Sequence, residues 1–296
     1  MIRWLYSQPW LLLTLTALFW GGNAVASRLA VGEIQPFQLV LLRWLLVAAA
    51  MWLLFGREVR DHWPKLRPRL GWLVMIATTG FTVFNALFYL AGYSTTAINI
   101  GILQGAMPVM VLIGAFIAYR TKVTPLQIVG VAVTLTGVVV IAGKGDPLLL
   151  LSLGINPGDG IMLIAGACYS FYTVMLRNRP AIPGRAFFTV MSVVALATSV
   201  PFAVGEALLT DAYLPTFTGW LITLYVAIFP SCLSQLFFLR GVDLIGPGRA
   251  GLYINLVPVF APILAILVLG EIFAWYHAAA LVLVLGGIAL AERGKA

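Results

Sequence analysis

Leu87-Phe88-Tyr89-Leu90-Ala91-Gly92 returns 149 residues later as Leu236-Phe237-Phe238-Leu239-Arg240-Gly241. The same displacement recurs elsewhere. Met107-Pro108-Val109 answers Val257-Pro258-Val259 at 150, Gly137 answers Gly287 at 150, and residues 20–28 answer 169–177 at 149. One nearly constant offset in four places reads as an internal duplication, with a first copy over 1–143 and a second over 144–296.

What is duplicated follows from composition. Of the 296 residues, 61% are apolar and 9% charged, and the mean hydropathy is +1.01. A soluble domain carries about 25% charged residues to cover its surface, so this surface faces lipid. A helix needs about 17–25 apolar residues to cross the hydrocarbon core. Ten segments meet that length: 10–30, 36–55, 70–90, 97–118, 124–142, 160–176, 187–205, 217–239, 250–269 and 274–291. They are too long and too uniformly apolar for barrel strands. The expected fold is all-α, with ten transmembrane helices in two five-helix repeats. Five is odd, so the second copy enters the bilayer from the opposite side. Inverted repeats of this kind are typical of transporters that hold substrate near the midplane between the copies. The rival reading is a duplicated membrane protein that transports nothing.

With the N-terminus placed inside, fifteen of the eighteen basic residues fall on the inner side, from Arg3 to Lys295. The outer gaps collect Glu33, Asp146, Asp159, Glu206, Asp211 and Glu271. The positive-inside rule therefore places both termini in the cytoplasm. Because the net charge of +8 lies in these short gaps, it orients the chain and does not suggest nucleic acid. Arg3, the run 10–20 and Ala24-Val25-Ala26 imitate a signal peptide. The run continues to Ala30 and has a repeat partner, so it reads as an uncleaved first helix. Cys168 and Cys232 lack metal or redox spacing and read as small core hydrophobes. Gly143-Lys144-Gly145 is a short outer turn with no phosphate-loop continuation, and Gly246-Pro247-Gly248 is a tight inner turn. No catalytic residue, metal or cofactor is implied.

Trp20-Gly21-Gly22-Asn23, Arg43 in the second span, and the stretch 258–271 ending in Gly270-Glu271 and followed by Gly286-Gly287 resemble the drug/metabolite transporter superfamily. Within it the chain looks like the EamA-type exporters, and is similar to bacterial amino-acid exporters of the YddG kind, over about residues 11–291. The resemblance implies ten helices in two inverted repeats and export of small solutes from a bacterial inner membrane. It also implies a cavity lined by helices 1, 3, 4, 6, 8 and 9, with helices 5 and 10 peripheral. One departure is plain: Arg120-Thr121 stands where the second repeat has Gly270-Glu271.

Polar groups within spans need a reason. Helix 1 offers Trp20 and Asn23; helix 3 offers Asn85, Phe88 and Tyr89; helix 4 has Gln104 within Gly101-x-x-x-Gly105. Helix 6 carries Tyr169, Ser170 and Tyr172, helix 8 carries Ser231, Ser234 and Gln235, and helix 9 carries Tyr253 and Asn255. Taken singly, each is as readily interhelical packing glue. Together they suggest a pocket of aromatic walls and neutral amides without fixed charge, suited to a zwitterion or amphipathic metabolite. Pro108, Pro230 and Pro258, with Pro262, free backbone carbonyls that serve as ammonium ligands or hinges. Arg43 is the one charge deep in a span. Because helix 2 is peripheral in the family, it reads as a structural arginine bonded to backbone carbonyls or a loop, ahead of a carboxylate ligand. No Asp or Glu lies mid-span, and His277 near a helix end is a weak substitute. This points to an uncoupled facilitator exporting amino acids, aromatic and other neutral ones, by alternating access. The alternatives are a proton-coupled exporter of another solute (a drug or sugar conjugate), a receptor or scaffold, or a membrane-embedded enzyme. The expected partners are a small-molecule substrate and the lipid bilayer. Gly130, Gly137 and Gly286 form either an internal packing face or a dimer contact, leaving monomer and dimer open.

Overall fold

Apolar runs of this length have no choice but to bond their own backbone in lipid, and their ends are marked by residues that start helices. In the computed structural model, which describes residues 6–146, 149 and 156–294, ten long helices occupy the ten expected segments. They are α1 Pro9–Leu29, α2 Pro36–Asp61, α3 Trp63–Ala91, α4 Ala97–Tyr119, α5 Pro125–Ala142, α6 Pro157–Asn178, α7 Gly184–Leu209, α8 Phe217–Ile245, α9 Pro247–Leu269 and α10 Trp275–Arg293. Proline begins α1, α2, α5, α6 and α9, where its missing N–H costs nothing. Thr96, Thr124, Asn156 and Thr216 cap α4, α5, α6 and α8 by accepting from first-turn backbone N–H groups. Arg3 and Lys295, which enter the charge count, lie outside the described residues.

Three helices outrun their apolar segments. α2 continues past residue 55 through Arg57 and Arg60, α3 starts seven residues before the expected 70, and α8 runs on past Arg240. Hydropathy marks the edge of the bilayer, whereas a helix stops only where its backbone must. For α8 that point is Gly246, at φ +82°.

The helices pair in a pattern that is unchanged when the two copies are exchanged. α1 packs on α8 and α9, and correspondingly α6 packs on α3 and α4, while α2·α7, α4·α9 and α5·α10 map onto themselves. Irregularities recur at the same displacement. α3 widens into a π segment at Thr78–Val83 and α8 at Ala227–Leu233. α4 is interrupted at Gly105-Ala106 and α9 by a 3-10 turn at Tyr253–Leu256. Both α4 and α9 end on a left-handed residue, Arg120 at φ 53° and Gly270 at φ 66°.

α5 and α10 approach backbone to backbone. A Cβ on Gly130 would lie 2.5 Å from the Gly287 carbonyl oxygen, and one on Gly287 would lie 2.3 Å from the Thr134 hydroxyl. The glycine face is therefore internal. Its partner on α10 is Gly287, whereas Gly286 meets nothing within 4 Å. Large apolar side chains cover the outside, including Leu53 (85% exposed), Leu267 (76%) and Val282 (71%). This is the surface of a multi-pass membrane protein.

Candidate functional site

The two π segments decide where polar atoms appear. A π turn leaves carbonyls out of the regular ladder, and such turns gather at functional sites. In α8, Pro230 cannot donate to Val226, so the Val226 carbonyl takes the Ser231 hydroxyl instead (2.5 Å). In α3, the Asn85 amide donates to the Phe81 carbonyl (2.6 Å) within the widened turn. Both side chains then present an oxygen to the same guanidinium.

That guanidinium is Arg43, 5% exposed and two turns into α2. Its Nε donates to Ser231 Oγ (2.7 Å) and its Nη1 to Asn85 Oδ1 (2.5 Å) and to the Tyr89 hydroxyl (2.7 Å). Tyr89 in turn donates to Asn23 Oδ1 (2.9 Å). Trp44 and Tyr89 rings lie 5.2 and 5.9 Å from the guanidinium carbon, within cation–π range. Arg43 thus ties α2 to α3 and α8, Tyr89 extends the network to α1, and among the described residues the arginine bonds no backbone carbonyl or loop. The expectation of a structural arginine so bonded is replaced by one seated among the ranked polar residues. The polar cluster also holds a fixed charge, which the sequence reading had left out.

Four of the polar residues named from the sequence, Asn23, Asn85, Tyr89 and Ser231, meet in this network. Phe88, Tyr169 and Tyr172 meet beside it. Phe84 lies 5.7 Å from Phe88 and 5.0 Å from Tyr169, and Tyr172 packs on Tyr169 (5.5 Å) and edge-on to Phe81 (5.2 Å). Gly80 makes room for Tyr172, whose Cγ would lie 2.3 Å from a Cβ there. Trp20 turns to α8, donating its indole N–H to the Pro230 carbonyl (3.0 Å) and lying against Phe238 (5.7 Å). The Val226, Phe229 and Pro230 carbonyls at this turn thus all accept from side chains. Gln104, at the last residue before the α4 break, holds a buried amide nitrogen with no acceptor. Gln235, Tyr253 and Asn255 are half-buried and bond nothing in the network. Pro108 and Pro258 each stand in the first turn after an interruption, and Pro230 lies inside the α8 π segment.

Of the acidic residues expected in the outer gaps, Asp159 and Glu206 lie instead in the first turn of α6 and the last turn of α7. Glu206 accepts from the Phe37 and Gln38 backbone N–H groups at the start of α2, and Glu271 from those of Ala97 and Ile98 at the start of α4. A carboxylate at a helix N-terminus is favourable for both hydrogen bonding and the helix dipole. Asp159, fully buried, accepts from the Thr95 hydroxyl and from the Asn99 amide (3.1 Å to each oxygen). His277 is likewise a cap, its Nδ1 accepting from the Ala274 N–H (2.9 Å). Just outside the spans at this end, burial and the adjoining Tyr213 hydroxyl push the Tyr93 phenol above its ordinary range.

A cavity of about 340 Å³ lies between α1, α8 and α9. It is walled by Gly22, Val25, Tyr225 and Leu264 and bordered by the exposed side chains Leu29, Leu221 and Val268. It is apolar, faces the lipid side, and reaches the polar network only through Gly22, the neighbour of Asn23. Sequence reasoning missed Tyr225, whose hydroxyl occupies the space a Gly22 side chain would need.

The EamA-like transporter family matches this chain twice, over residues 8–143 and 156–292. The uncharacterized transporter YetK of Bacillus subtilis is 27% identical, covering 90% of this chain and 82% of its own length. The uncharacterized inner membrane transporter YedA of Escherichia coli K12 is 24% identical, over 94% and 88%. A solved crystal structure aligns with a TM-score of 0.66 at 20% identity, covering 97% of this chain and 98% of that one. That last likeness is one of fold.

Proposed function

The chain belongs to the EamA-like transporter family, and from that premise we propose that it exports amino acids, aromatic and other neutral ones, across a bacterial inner membrane with both termini in the cytoplasm. The mechanism is alternating access: the two five-helix repeats rock against each other around a site between them. The observation that carries this reading is the Arg43–Asn85–Tyr89–Asn23 network, closed by Ser231 from the second repeat. It lies where both copies depart from regular helix, with an aromatic wall of Phe88, Tyr169 and Tyr172 beside it. Trp20, Gln104, Gln235, Tyr253 and Asn255 complete the proposed lining, and Pro108, Pro230 and Pro258 supply its hinges.

Transport is proposed to be uncoupled. Among the described residues the carboxylates within the ten helices sit near helix ends, and Asp159 and Glu206 already accept hydrogen bonds. The test is counterflow in proteoliposomes loaded with radiolabelled phenylalanine, threonine or methionine and given no ion gradient. Exchange without a gradient is expected. Flux that appears only with a proton gradient would overturn the uncoupled mechanism, and no flux of any amino acid under either condition would overturn the substrate class.

A further inference from the structure

Among the described residues Arg43 is a buried cation with no counter-ion. Among the described residues the one ion pair is Arg185–Glu58 at 2.8 Å, half exposed at the far end of α2. Placing an arginine deep in a bilayer costs about 3 kcal/mol even on permissive scales. The three groups that bond it, Ser231, Asn85 and Tyr89, are neutral. Hydrogen bonds satisfy part of its shell and none of its charge.

A proton count shows what is left over. Nε and Nη1 are used, and Nη2 has no acceptor among the described residues, yet it is not among the fully sealed polar atoms. An arginine only donates, so the Tyr89 oxygen accepts from it and the single Tyr89 proton must go to Asn23. This fixes the Asn23 carbonyl toward Tyr89 and turns its amide nitrogen away, where it too has no protein partner and is not sealed. The network therefore ends in two groups without a partner among the described residues, both of them donors, one charged and one neutral.

Resting on the transport reading above, we propose that Arg43 and Asn23 bind the carboxylate of the transported solute, so that the substrates are monocarboxylates and an amino acid is recognised through its carboxyl group. One carboxylate neutralises the one charge, and its two oxygens match the two donor groups. A dianion would leave a net negative charge buried. Tyr89 and Asn85 act as positioning residues, holding Arg43 and the orientation of the Asn23 amide.

The test is ligand-induced thermal stabilisation of the purified, detergent-solubilised protein. The probes are phenylalanine, 3-phenylpropionate, phenylalaninamide and phenethylamine, applied to wild type, Arg43→Gln, Arg43→Lys and Asn23→Ala. The two carboxylates are expected to raise the wild-type Tm, and the amide and amine are not. In Arg43→Gln the carboxylates should bind about 10- to 100-fold more weakly, a loss that Arg43→Lys partly restores. Asn23→Ala, which covers the case in which Arg43→Gln fails to fold, should weaken them several-fold. Equal carboxylate binding in wild type and in these variants would overturn the inference, as would equal binding of all four probes, or none. Carboxylate binding that depends on Arg43 without amino-acid counterflow would sink the amino-acid reading and leave this one standing. Counterflow indifferent to Arg43 would do the reverse.

Discussion

Tyr89 accepts from Arg43 and donates to Asn23, so its hydroxyl is the joint of the polar network. Tyr89→Phe removes that joint and nothing else. It should lower stability by about 1–3 kcal/mol, since a hydrogen bond to a buried charge is lost, and should slow counterflow about tenfold by releasing the Asn23 amide. Thermal unfolding and initial exchange rates on the same preparation check both. A second residue prediction concerns backbone strain. Arg120 and Gly270 hold equivalent left-handed positions at the ends of α4 and α9. An L side chain there costs about 1–2 kcal/mol. Arg120→Gly should therefore stabilise the protein by about 1 kcal/mol and Gly270→Ala should destabilise it by a similar amount. At this scale the sequence was partly legible. Asn23, Asn85 and Tyr89 announce themselves as polar groups within apolar runs. Arg43 did too, as the one charge deep in a span, but the peripheral place of helix 2 argued it away. Sequence carries no sign that π turns in α3 and α8 lean Asn85 and Ser231 toward α2.

At the scale of elements, α5 and α10 touch through Gly130, Thr134, Gly137 and Gly287. Gly287→Ala puts a Cβ 2.3 Å from the Thr134 hydroxyl and should cost about 1–3 kcal/mol by forcing the helices apart. Gly286→Ala meets open space and should be neutral or stabilising by up to about 1 kcal/mol through helix propensity. Equal effects on Tm would contradict the assigned packing face. The ten helices were readable because each is an uninterrupted apolar run of spanning length. Their true ends were not, since α2, α3 and α8 continue as solvent-side helix where hydropathy has already turned. Which of two adjacent glycines faces a neighbour was equally hidden, because Gly286 and Gly287 differ by only one helical step. The interruptions of α4 and α9 were half-visible, in Pro108 and Pro258, and the 3-10 turn that precedes the latter was not.

Over the whole molecule, the repeat read from Leu87–Gly92 and its copy reappears as exchangeable helix pairs and matched irregularities. The gaps holding Glu33, Asp159, Glu206 and Glu271 form a closed end. There Thr216 donates its backbone N–H to the Glu33 carbonyl (3.0 Å), Glu206 and Glu271 cap helices of the first repeat, and Asp159 holds the α3–α4 connection. Each of these contacts crosses from one repeat to the other, so a protein that rocks its repeats must break them in each cycle. One crossing is open to reagents: the exposed Thr216 at the start of α8 donates its hydroxyl to the Glu33 carboxylate in the α1–α2 connection. The most direct measurement is phenylalanine counterflow by Glu33→Cys/Thr216→Cys, built on Cys168→Ala/Cys232→Ala, in proteoliposomes before cross-linking with a short bifunctional methanethiosulfonate, after cross-linking and after reduction. Alternating access between the repeats predicts exchange that is lost on cross-linking and regained on reduction. Undiminished exchange through the fully cross-linked protein would contradict it.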